Sequence, residues 1–344
     1  MKKTLLYVSI ISLVLVSGCS KNTEGPVSNA EPSVVIETND VNTDDLSLVS
    51  DNADNPTDEK PIEEIKAANS EIRVICYGTS MVYGTGGGGV TLSNVIKRYS
   101  GADAINYGGY AEDTNCIAAR LGANKLSLTE GFTIPADDTP VEIKFDSDFG
   151  QTDLLLKYTD AGLNPVTIDG ICGDLSRDDE ANIYFTRSEA GEEKAVEAGT
   201  EITPYSVSRM TPDDILIIWT SGNDNIEKSE DIPILLDKID KMVAFGGNDR
   251  FVLFSDMNNH LMGDEINAAF REHYNEHFLD FKTYMMTDAS NELGYPLDED
   301  DLLDIEENMV PRCFRSDDEH GNSLYYLLAG QQVYKKCQKL GYLQ

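Results

Sequence analysis

Residues 74–90 read VICYGTSMVYGTGGGGV, and the stretch admits two chemistries. The apolar run ending at Tyr77 has the length and composition of a buried strand. After it, Gly84-x-Gly86-x-x-Gly89 formally spells the GxGxxG loop that cradles a dinucleotide pyrophosphate, whereas Gly78-Thr79-Ser80 puts a serine hydroxyl at the mouth of a sheet. A dinucleotide loop needs its first glycine in the tight turn directly after the strand and an acidic residue ending the next strand. Gly84 arrives too late for that turn. The next apolar run ends in Asn106-Tyr107, with Asp103 at its start, and no GK[ST] follows the glycines to make a Walker loop. The serine is the reading that survives.

Outward from this stretch, short apolar runs at Ile72–Tyr77, Ala104–Tyr107, Ile215–Thr220, Phe251–Ser255 and Phe278–Phe281 read as strands. Helical periodicity fills most of the intervals, at Leu92–Tyr99, Thr114–Leu121, Ile232–Phe245 and Ile266–His277, with a last helix over Leu327–Leu340. Strands alternating with helices predict a parallel sheet covered on both faces, with functional groups at the strands' carboxyl ends. Residues 125–210 break the alternation. VEIKF (141–145), LLLKY (154–158), PVTIDG (165–170) and IYFTRS (183–188), separated by Gly and Asp turn signals, predict a small β-rich insertion.

At the N-terminus, MKK followed by LLYVSIISLVLVSG has the charge and length of a signal sequence rather than a membrane span. It ends in Val16-Ser17-Gly18-Cys19, similar to a bacterial lipobox, so residues 1–18 read as a lipoprotein signal peptide and Cys19 as the lipid attachment site. The alternative is an ordinary secretory signal with an incidental cysteine. Residues 19–70 are rich in Asn, Asp, Glu, Ser, Thr and Pro without an apolar period, which predicts a disordered acidic tether and a folded part starting near Glu71. The expected location is the outer side of a bacterial membrane, held there by the lipid on Cys19.

With 61 acidic against 27 basic residues and a net charge of −34, nucleic acid is excluded as a partner. The run Asp298-Glu299-Asp300-Asp301 lacks the spacing and glycine of a calcium loop and reads as solvated surface. His273 and His277 stand at i and i+4 but without HExxH or a third ligand, so no metal and no cofactor are expected. The cysteines beyond Cys19 show no CxxC, and a Cys313–Cys337 pairing stays open.

A nucleophilic serine needs a base, a group to orient that base, and donors for the oxyanion. Only four histidines are present. His260 follows a strand without an evident partner, whereas His320 lies in RSDDEH just before the last helix, three residues after Asp317. Gly78-Thr79-Ser80 after the first strand, NYGGYAEDTNCIAARLGA (106–123) after the second, Asn223 in WTSGNDN after the third, and Asp317…His320 near the C-terminus form an ordered set. That set resembles the SGNH (GDSL-type) serine hydrolases, and a bacterial subgroup of them with a GTGG-type run and a β-rich insertion, over roughly residues 71–344.

The resemblance implies a fold and a set of roles. The fold is α/β, a three-layer α/β/α (flavodoxin-like) sandwich around a five-stranded parallel sheet, carrying the insertion. Ser80 matches the nucleophile, His320 the general base and Asp317 the carboxylate orienting it. The backbone N–H groups of Ser80 and Ala111 and the side chain of Asn223 match the oxyanion hole. Thr79, Ala111 and Ser221 depart from the family's Asp, Gly and Gly. The implied activity is hydrolysis of O-acyl esters, O-acetyl above all, on carbohydrate, with Tyr83 and Trp219 as candidate sugar-stacking rings. Two alternatives stay open: a weak or inactive glycan-binding lipoprotein on the same fold, and acyl transfer to another hydroxyl.

Overall fold

The computed structural model describes residues 62–247 and 249–344. Residues 1–61, which include the lipobox-like stretch and Cys19, lie outside them. Five strands form one all-parallel sheet: β1 (Arg73–Gly78), β2 (Asp103–Gly108), β3 (Ile215–Trp219), β4 (Phe251–Phe254) and β5 (Phe278–Leu279), in the order β5-β4-β3-β1-β2. Alternate side chains of β1 enter different cores, as the two-residue period of a strand requires. Val74 and Cys76 pack with Leu92, Ile96, Leu328 and Val333, whereas Ile75 and Tyr77 pack with Ile117, Leu121, Ile239 and Ile266. Helical residues therefore cover both faces.

The register brings the strand ends together. Gly78 pairs with Trp219 on one side and with Gly108 on the other. The segments following these three residues leave the sheet at one edge, where the strand order reverses about β1. Gly78 is dictated by the crowding there, since a Cβ would lie 2.2 Å from the Trp219 carbonyl oxygen. Trp219 itself is 2% exposed and stacked on Phe254 with ring centroids 4.0 Å apart, so it belongs to the core and offers no sugar platform.

Besides a two-stranded ribbon of Phe132–Ile134 and Lys194–Val196, the insertion forms a second, separate sheet. Seven antiparallel strands run in the spatial order Val141–Ile143, Ile183–Arg187, Ile171–Arg177, Val166–Ile168, Glu201–Pro204, Leu126–Leu128, Phe145–Ser147. Its two edge strands are consecutive in the chain, joined by Lys144 alone, which curls the sheet into a near-barrel. LLLKY is not a strand. Leu155 N–H donates to Thr152 O at 3.0 Å and Lys157 N–H to Leu154 O at 3.0 Å, two tight turns that tuck Leu155 into the insertion's core. Arg177 then holds the Asp153 and Leu155 carbonyls.

The folded part starts before Glu71. Ile62–Asn69 is a helix inside the stretch whose composition predicted tether, and its end is clamped by buried Asn69. The Asn69 amide donates to Ser100 O at 2.9 Å and accepts from Gln344 N–H at 3.0 Å. No helix among the described residues is long and apolar enough to cross a membrane. The five described cysteines are free, so Cys313 and Cys337 are not bridged.

Candidate active site

Ser80 opens a four-residue helix, Ser80–Tyr83, at the end of β1. Thr79 is its N-cap, with extended backbone, and the Thr79 hydroxyl oxygen accepts from Met81 N–H at 3.2 Å. Thr79 N–H donates to Trp219 O at 3.2 Å, and Thr79 O accepts from Val82 and Tyr83. A neutral hydroxyl thus supplies the acceptor that the turn needs, and such a cap contributes about 1 kcal/mol. The helix ends at Gly84 in left-handed backbone.

His320 reaches this serine from the far end of the chain. Its Nε2 lies 2.9 Å from Ser80 Oγ, and its Nδ1 lies 2.9 Å from Asp317 Oδ2. With Nδ1–H directed at the carboxylate, Nε2 is left to accept the serine proton. Burial pushes the Asp317 carboxyl up, but the Glu319 N–H and the His320 side chain and N–H outweigh it and hold the group below the usual carboxylate range. Asp317 Oδ1 accepts from Glu319 N–H at 2.8 Å and from His320 N–H at 2.7 Å, so one carboxylate fixes both its loop and the imidazole.

Two features carry that loop. A bridge between Arg315 and Gly321 pinches its ends. Of the acidic run read as solvated surface, Asp298, Glu299 and Asp300 are exposed as expected, whereas Asp301 is buried and, with Asp304 beyond the run, supports the loop. Asp298 and Asp301 form a capping box on the helix Glu299–Glu306, and Asp301 and Asp304 are 2% exposed. Asp301 accepts from Cys313 N–H at 2.9 Å; Asp304 accepts from Arg312 Nε at 3.0 Å and from Arg315 at 2.8 Å. Hydrogen bonds from Arg312, then Arg315, outweigh burial and bring the Asp304 carboxyl down to about 2.

The glycine run also divides. A Cβ on Gly86 would lie 1.9 Å from Ser316 Oγ and 2.7 Å from Gly321 O, so this backbone packs directly on the histidine loop. Gly88 and Gly89 meet nothing within 4 Å and form the open lip.

The expected oxyanion donors are only partly assembled. Neither Ser80 N–H nor Ala111 N–H is engaged by an acceptor among the described residues. Ala111 sits at φ 53 and Ser221 at φ 78, the left-handed region that favours glycine. Ser221 is held there by donating to Asp256 Oδ2 at 2.6 Å, a support Ala111 lacks. Asn223 Nδ2 donates to Glu112 O at 3.0 Å, tying the β3 loop to the Ala111–Glu112 segment. It makes no hydrogen bond to Ser80, Asp317 or His320 among the described residues. Asp224 accepts from Thr114 N–H at 3.1 Å and Thr114 hydroxyl at 2.6 Å; burial raises its carboxyl to about 6, against the pull of the Thr114 bonds.

One element escaped the sequence reading. Arg120 and Glu112 form a wholly buried ion pair at 2.7 Å directly behind the Ala111 segment. Arg120 also donates to Tyr107 O and Ala161 O, both at 2.7 Å, joining the end of β2 to the insertion. Burial raises the Glu112 carboxyl against the pull of Arg120. An arginine inside the apolar stretch CIAARLGA was the available signal. The remaining histidines go elsewhere. His273 pairs with Asp240 at 2.9 Å, His277 stacks on Phe251, and His260 borders a small cavity behind His320.

Comparison with protein-family models, curated proteins and solved structures returns no match.

Proposed function

We propose that this chain is a serine esterase of SGNH type on a flavodoxin-like three-layer sandwich, cleaving O-acyl and above all O-acetyl esters of carbohydrate outside the cytoplasm. The observation that carries the reading is the unbroken hydrogen-bond path Ser80–His320–Asp317, at 2.9 Å on each side of the imidazole. Ser80 Oγ attacks the ester carbonyl as its proton passes to His320 Nε2. The resulting oxyanion takes the N–H groups of Ser80 and Ala111, with the second N–H of Asn223 as third donor; one such donor contributes about 3 kcal/mol. Collapse expels the alcohol, which takes the proton from His320, and leaves Ser80 acylated. Water then attacks, gives a proton to His320, and the acid departs as Ser80 regains its hydrogen.

The lipobox ending at Cys19 supports attachment to the outer face of a bacterial membrane. The test is turnover of p-nitrophenyl acetate by the full chain. Ser80→Ala and His320→Ala should each lower kcat by at least a thousandfold, and Asp317→Asn by a smaller but clear factor. Turnover equal to buffer in the parent protein would leave the glycan-binding reading in its place.

A further inference from the structure

Three of the exposed large side chains are joined in sequence by ring contacts, starting from the short helix that Ser80 opens. Tyr83, Tyr110 and Tyr158 are 50%, 37% and 53% exposed. Ring centroids lie 4.9 Å apart from Tyr83 to Tyr110 and 6.4 Å from Tyr110 to Tyr158, with planes tilted by 58° and 57°, so each ring offers its own face rather than a share of one flat platform. Tyr83 closes the helix that Ser80 opens, Tyr110 precedes Ala111, and Tyr158 belongs to the insertion. Gly108 lets this happen, because a Cβ there would lie 2.1 Å from Tyr83 N. Lys157 Nζ sits 5.0 Å over the Tyr158 ring and orders it from one side. None of the three phenol hydroxyls has a hydrogen-bond partner among the described residues.

We infer that Tyr83, Tyr110 and Tyr158 form a glycan subsite that stacks a neutral oligosaccharide along a line from Ser80 onto the insertion. The inference deepens the esterase reading and rests on it for the position of the ester, though the binding it describes can be measured without any turnover. Rings tipped with free hydroxyls match a pyranose, whose apolar C–H face is rimmed by hydroxyl groups. An acyl chain would call for a groove of aliphatic side chains, and this row has none. The excess of 61 acidic over 27 basic residues disfavours a polyanionic glycan. Two ring-to-ring steps make the row longer than one sugar, so binding energy away from the ester would hold its carbonyl at Ser80. This gives the insertion a role: it supplies the distal end of the subsite.

Calorimetric titration of the full chain with xylohexaose, mannohexaose and cellohexaose tests the subsite directly. At least one should bind, and Tyr158→Ala should weaken its Kd tenfold or more, about 1.4 kcal/mol. Tyr158→Trp, which keeps a stacking face, should retain binding and so exclude misfolding as the cause. Absence of binding to all three sugars, or binding unchanged in both Tyr158→Ala and Tyr110→Ala, overturns the inference. A second readout is the ratio of kcat/KM for an acetylated oligosaccharide to that for p-nitrophenyl acetate, which should fall at least tenfold in Tyr158→Ala. Sugar binding without ester turnover leaves the subsite standing and removes the esterase. Turnover of p-nitrophenyl acetate without sugar binding does the reverse.

Discussion

Replacing Gly86 by alanine should disturb the proposed catalytic centre through the histidine loop, without touching Ser80, His320 or Asp317. The added Cβ would lie 1.9 Å from Ser316 Oγ, about 1.5 Å short of the 3.4 Å at which ordinary contact begins. It would also lie 2.7 Å from Gly321 O, a backbone atom that cannot rotate away. Relief requires the Ser316–Gly321 segment to move by roughly an ångström, and His320 with it. Displacements of that size cost on the order of a hundredfold in rate. Alanine also carries a left-handed backbone penalty of about 1–2 kcal/mol at φ +80. Gly88→Ala separates the two effects, because its φ is +58 and nothing lies within 4 Å of the new methyl. Urea unfolding should show about 1 kcal/mol lost in Gly88→Ala and more in Gly86→Ala. Turnover of p-nitrophenyl acetate should stay within about twofold in Gly88→Ala and drop about a hundredfold in Gly86→Ala. Equal turnover in the two variants would refute the claim that the glycine run positions His320.

Ala111→Gly relieves a left-handed alanine at φ 53 and should raise stability by up to about 1 kcal/mol in urea unfolding, with ester turnover equal or higher. A lower turnover would show that the Ala111 methyl shapes the acyl pocket instead. Asp304→Asn removes charge-assisted bonds from Arg312 and Arg315 and should cost about 2–3 kcal/mol by the same assay. Because the folded Asp304 carboxyl is depressed to about 2, its contribution is fully present above the ordinary value of 3.8. It is lost as pH falls from 3.8 towards 2. Parent and Asp304→Asn stabilities should therefore converge over that window, and parallel acid titrations of the two proteins would contradict the assignment.

The parallel sheet was legible because its strands are nearly continuous apolar runs, and all five appear within a few residues of the positions read from sequence. Ser80, Asp317 and His320 were singled out for a different reason: an aspartate three residues before a histidine says little alone, and the resemblance carried by the ordered set of Gly78-Thr79-Ser80, Asn223 and Asp317…His320 pointed to them. What stayed hidden depends on contacts between residues far apart in sequence. Nothing local to Gly86 announces that Ser316 will lie against it. Among 61 acidic residues, Glu112 and Asp304 carry no mark of burial, since their arginine partners are fixed only by the fold. LLLKY misled because three leucines in a row favour a strand, whereas the turn at Thr152–Leu155 uses one of them as a core plug. Thr79 stands where the resemblance has Asp, yet its hydroxyl reaches Met81 N–H as a capping side chain should.

Everything proposed for this chain depends on Ser80 acting as a nucleophile activated by His320. Treating the full chain with a fluorophosphonate and mapping the adduct by peptide mass spectrometry tests it most directly. A single stoichiometric phosphonylation on Ser80 is expected, abolished in Ser80→Ala and slowed at least a hundredfold in His320→Ala. An unlabelled parent protein, or labelling of Ser80 that proceeds equally fast without His320, would contradict it.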